Sequence, residues 1–185
     1  MKRFKNILLV AGGEGWKESA LKRAVALAKE NRARLTVVDV IEELPREMRV
    51  LATSMHLADL QQLVVAERLK VLKRLIDPIL RKGVRVSVKV LVGTPFLEII
   101  REVIKSKNDL VMKTATGMVG VRERLFGNTA IRLMRKCPCP VWVINPSHQK
   151  KYARILAAVD PDPLDNKRNA LNAKIMELAT SLARI

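Results

Sequence analysis

The sequence predicts an α/β protein, a doubly wound five-stranded parallel sheet with helices on both faces. Two observations predict it. Strand-like runs alternate with helical patterns along most of the chain, and those runs are short and largely continuous in apolar residues. A strand buried on both faces reads this way, and parallel neighbours must then be joined by right-handed crossovers that cover the sheet.

Each element follows in order. Residues 7–11 form a run of leucine and β-branched side chains, and residues 18–31 place Leu21, Ala24, Val25 and Ala28 at helical spacing before residues 35–41 return to a strand pattern. Residues 55–82 repeat Leu60, Leu63 and Val64, then Leu72, Leu75, Ile76 and Ile79, and stop at Gly83, as one amphipathic helix does. Residues 84–92 alternate as a strand. Thr94 is placed to cap the next helix and Pro95 to occupy its first turn, with the helix running over 96–105. A strand over 109–113, a loop, a helix over 128–136 and a strand over 141–144 complete the pattern. Ligands of such sheets lie beyond the carboxyl ends of the strands where strand order reverses, so the loops after the first and fourth strands are the places to search.

Composition sets the class. A chain of 185 residues suits one domain with a real core, or one domain and part of another. Its 49% hydrophobic and 29% charged residues exclude a mainly disordered chain, and no apolar run approaches the ~20 residues of a membrane helix. The basic start, Met1-Lys2-Arg3-Phe4-Lys5, precedes a short apolar segment without a small-residue cleavage site, so no signal peptide is expected. Cys137 and Cys139 are too close to build a disulfide framework, which points to a reducing cytoplasm. A net charge of +17 invites a polyanionic partner. Its Lys and Arg residues are scattered over helix faces, however, and aromatic residues make up only 3%, so a solvated basic surface is expected and nucleic acid is not the expected partner.

The first glycine-rich loop, in "ILLVAGGEGWKES", fails the dinucleotide fingerprint because Glu18 stands where a third glycine belongs, and no phosphate-loop lysine motif occurs in the chain. Asp39 therefore has little claim to a dinucleotide ribose. Cys137-Pro138-Cys139-Pro140 lacks two further metal ligands, since the histidines, His56 and His148, lie far away in sequence, and the motif is expected to be structural. His56 is expected at the surface or in packing. No catalytic set can be assembled, and no enzyme is expected.

Four blocks, "KNILLV", "ALKRAVALAKENRARLTVVDVI", "GTPFLEIIREVIKSKNDLVMKTA" and "GNTAIRLMRKCPCPVWVI", resemble the universal stress protein family, most closely its tandem, two-domain members of the UspE type. The resemblance implies an adenine nucleotide alpha hydrolase-like, Rossmann-like sheet of order 3-2-1-4-5 and a reversal between the first and fourth strands. ATP-binding members carry G-x-x-G-x9-G-[ST] after the fourth strand, where glycines let backbone amides approach phosphate. This chain has Thr114, Gly117, Gly127 and Asn128 at those places, with Thr129 following. Thr114 is β-branched and tolerates positive φ poorly. Gly12 aligns with the family's nucleotide-facing aspartate, Gly13 and Gly15 share its loop, and Val40 matches the backbone contact to adenine. The resemblance thus implies a degenerate nucleotide pocket, with no certain cofactor and with ATP or another small molecule as the ligand to test.

The polar stretch 145–152 reads as a linker, and "YARILAAVDPDPLDNKRNALNAKIMELATSLARI" then repeats the opening of the chain. The expected organisation is a complete domain over 1–146, a linker over 147–153, and the first strand (154–159) and helix of a second, incomplete domain over 154–185, with Asp160 at the acid position. Family members commonly pair their final strands, so a homodimer through residues 140–144, from Pro140 to Ile144, is expected. The expected role is a non-enzymatic, cytoplasmic stress-response protein. Two alternatives remain open: an ATP-binding switch or slow ATPase, and a basic binder of nucleic acid or lipid head groups.

Overall fold

The structure, a computed structural model, describes residues 3–12, 18–43, 57–80, 83–115, 127–145, 154–160 and 166–183. Its elements are β1 (Asn6–Val10), α1 (Glu18–Asn31), β2 (Arg34–Ile41), α2 (Leu57–Leu80), β3 (Val86–Val92), α3 (Pro95–Ser106), β4 (Leu110–Thr114), α4 (Gly127–Lys136), β5 (Val141–Ile144) and α5 (Asn166–Leu182). The five strands form one parallel sheet of order β3-β2-β1-β4-β5, so the order reverses between β1 and β4, as expected.

Alternate side chains of each strand feed two separate cores. Ile7 and Leu9 of β1, Leu35 and Val37 of β2, and Leu110 and Met112 of β4 meet Leu21, Ala24, Leu27 and Ala28 of α1 and Leu72 and Ile76 of α2. On the opposite face Leu8, Val10, Val38 and Val111 meet Ile99 and Val103 of α3 and Leu133 of α4. This two-sided burial explains why β1 and β4 read as unbroken apolar runs. Polar side chains, Asn31 buried and Asp109 partly exposed, tie the amino end of the sheet. Asn31 Oδ1 accepts the N–H groups of Arg3 and Phe4 at 2.9 and 3.1 Å, and Asp109 accepts those of Lys5 and Asn6 at 2.6 and 3.1 Å.

The structure corrects two expectations. Thr94 precedes α3 at the capping position, but its side chain makes no capping hydrogen bond; Pro95 occupies the first turn and needs no partner for a missing N–H. Residues 154–159 are not a strand. Among the described residues no strand pairs with them, and Leu156 is 97% exposed. The helix that follows forms as expected and docks on the first core: Leu178 packs against the cluster beneath α1, and Glu177 lies 3.4 Å from Arg3 Nε. Among the described residues no helix is long and apolar enough to cross a membrane.

Candidate functional site at the carboxyl ends of β1 and β4

Ala11 and Gly12 continue β1 toward the point of strand reversal, where the N–H of Ala11 donates to Val38 O at 2.7 Å. Gly12 has φ +113°, a conformation that side-chain-bearing residues rarely adopt. Space is equally restrictive. A Cβ on Gly12 would overlap Asp39 Oδ1 and lie 2.6 Å from Asp39 Cγ. The position that aligns with the family's aspartate is therefore filled from the neighbouring strand, by a carboxylate from β2.

That carboxylate is enclosed rather than presented. The Asp39 side chain is 9% exposed, and Arg68 Nε of α2 lies 3.8 Å from its Oδ2. Burial holds the Asp39 carboxyl above its ordinary range, and the Arg68 charge and the Val40 N–H oppose that rise. Val40 itself is half-buried and packs on the α3 and α4 side.

Across the reversal, β4 ends in Lys113 and Thr114. Lys113 is only 7% exposed, and among the described residues its Nζ makes one long contact, 3.5 Å to Thr114 O. Burial pushes its amine below the ordinary lysine value. Thr114 is an ordinary strand residue, paired in register with Ile144, and its buried Oγ1 finds no partner among the described residues. A lysine closing the apolar run "LVMK" is the sequence signal for this buried amine, although it fits no phosphate-binding pattern.

The remaining expected positions divide. Gly127 opens α4, so Asn128 keeps the hydroxyl position of the family motif and Thr129 falls one residue beyond it. Gly13, Gly15 and Gly117 lie outside the described residues, as do His56 and His148. Asp160 is exposed, pairs with Arg168 Nη1 at 3.0 Å, and has its backbone held by the Asn172 amide. It is not brought to the β1–β4 cleft. A separate cleft of about 360 Å³ is lined by Glu42, Glu43, Gly93 and Thr94 at the ends of β2 and β3, where two carboxylates disfavour an anion. Among the described residues no cluster of three His, Cys, Asp or Glu could hold a metal.

The matches to known proteins agree with this architecture. A model of the universal stress protein family matches residues 3–145. The chain is 29% identical over 184 residues to universal stress protein E of Escherichia coli (strain K12), covering 99% of this chain and 58% of that protein. It thus spans about three-fifths of the length of such relatives. A solved universal stress protein structure from Pseudomonas aeruginosa superposes with a TM-score of 0.69 at 23% identity, covering 98% of this chain and 58% of that one. Another universal stress protein, solved in complex with cAMP, has a TM-score of 0.51 at 16% identity and covers 78% of this chain and 98% of its own. With its sheet order and with residues 3–145 matched, the chain belongs to the universal stress protein family.

Proposed function

We propose that this chain acts in the cytoplasmic stress response as a non-enzymatic universal stress protein whose first-domain nucleotide pocket is degenerate. The observation that carries this reading is the Gly12–Asp39 contact. An aspartate projecting from the end of β1 would collide with Asp39, and Asp39 is itself buried and turned to Arg68. Thr114 in place of the first cradle glycine, held in strand conformation, supports the same conclusion. Calorimetric titration of ATP into the 185-residue chain is expected to give no saturable heat, and low-micromolar affinity would overturn the reading.

One observation favours the alternative, a nucleotide-responsive switch. Lys113 keeps a buried amine at the reversal point, with one long contact among the described residues, and an anionic ligand there would offset its charge. The relative solved with cAMP makes a nucleotide a reasonable ligand class to test. If the titration does show binding, this alternative requires Lys113→Met to weaken it.

Two further features of organisation belong to the proposal. In a protein of the relatives' length, residues 154–185 would open a second domain, with Asp160 at the acid position that Gly12 vacates in the first. A second copy of the chain would pair through β5, the last strand of the sheet among the described residues.

A further inference from the structure

Cys137 and Cys139 lie outside the candidate ligand site, and nothing assigned above uses them. Cys137 continues the last turn of α4, its N–H donating to Leu133 O at 2.8 Å. Cys139 precedes Pro140, whose carbonyl accepts the Val111 N–H at 3.0 Å and opens the β4–β5 ladder. Both thiols are free, partly exposed, and rest against the core beneath α3 and α4. Their sulfurs are 3.6 Å apart. The expectation that this motif is merely structural accounts for the prolines but not for two facing sulfurs.

We propose that Cys137 and Cys139 form a peroxide-oxidisable dithiol that closes reversibly into an intramolecular disulfide. The two sulfurs are chemically unequal. The Cys137 thiol is lowered to about 7, first through its hydrogen bond with Cys139. Cys139 is pushed well up, first by that same bond, then by burial and by the charges of Cys137 and Asp109. This asymmetry makes Cys137 the expected nucleophile and Cys139 the expected resolving thiol.

The chemistry balances with hydrogen peroxide or an alkyl hydroperoxide as the oxidant. Cys137 thiolate attacks one peroxide oxygen, the O–O bond breaks, and the departing alkoxide or hydroxide takes a proton. Cys137 is then a sulfenic acid. Cys139 Sγ attacks that sulfur, the S–O bond breaks, and the sulfenic oxygen leaves as water with the Cys139 proton. In sum, two thiols and one hydroperoxide give one disulfide, one alcohol or water, and one further water. The two electrons come from the sulfurs. Ring closure asks the 3.6 Å separation to shorten to ~2.05 Å. That movement falls on residues 137–140, which join α4 to β5 outside regular structure. Oxidation would thus be felt at the edge strand, where the β4–β5 ladder begins.

The test treats the whole 185-residue chain with hydrogen peroxide and follows intact mass, free thiols and the peptide joining the two cysteines. The expected result is loss of both thiols, a mass lower by two hydrogens, no covalent dimer, and full recovery with dithiothreitol. Cys139→Ser is expected to stop at a sulfenic acid that dimedone captures on Cys137. Cys137→Ser is expected to lose its remaining thiol at least about tenfold more slowly than wild type loses its first. Unchanged thiols under excess peroxide, a disulfide only between chains, or equal reactivity of the two single variants would overturn the proposal. The wild-type mass and peptide measurements decide it even where a variant fails to fold.

Discussion

At the scale of single residues, Gly12 is held by two constraints that a substitution separates. Any side chain meets both an unfavourable φ of +113° and the Asp39 carboxylate. Gly12→Ala is expected to cost about 1–3 kcal/mol from backbone strain, with the collision adding to it. Urea denaturation measures the loss. In an Asp39→Ala background the collision is gone while the strain stays, so the same substitution is expected to cost less there. An equal cost in both backgrounds would show that the two residues do not compete for one space. The glycine was visible in the sequence as a departure from the family's aspartate. The identity of the group that fills its place was not, because Asp39 reaches it only through the register that sets Val10 opposite Val38.

Among the elements, α3 shows how a helix pattern hides a polar contact. Its buried stripe contains Ile99, Glu102 and Val103, so a carboxylate stands within an otherwise apolar face. Glu102 Oε1 accepts from Lys89 Nζ of β3 and from Ser106 Oγ, both at 2.5 Å. Removing Glu102 leaves Lys89 Nζ, whose side chain is 39% exposed, with the Ser106 hydroxyl at 3.4 Å in place of its carboxylate. Glu102→Ala is therefore expected to cost about 1–3 kcal/mol in urea denaturation, less than a fully buried pair because Lys89 still reaches water. Lys89→Met combined with Glu102→Leu is expected to recover most of that loss. Failure of the double variant to recover it would mean that the pair does more than neutralise itself. The helix was legible from its periodicity and from Pro95. Its ion pair was not, because the partner lies on a strand that the helix meets only on folding. The same limit applies to residues 154–159, whose composition suits a strand but which pair with no strand among the described residues.

For the whole molecule, the position of β5 at the end of the sheet and the high charge act against one another. An edge strand offers unsatisfied backbone groups to a partner, while a net charge of +17 repels a second copy. Sedimentation equilibrium is expected to give a dimer whose association strengthens as salt screens that repulsion, and a clean monomer at high concentration and high salt would contradict pairing through β5. The sequence by itself determined the alternation of strands and helices from β1 to β5 and the parallel sheet, because burial on one or two faces imposes periodicities that are local and readable. Only the tertiary structure decided that Asp39 fills the space beside Gly12, that Lys113 is enclosed, that α5 docks through Leu178, and that two cysteine sulfurs face each other. These are relations of direction and depth between elements, or between side chains leaving a turn. They are set by strand register and by the way helices cover the sheet, which no local pattern encodes.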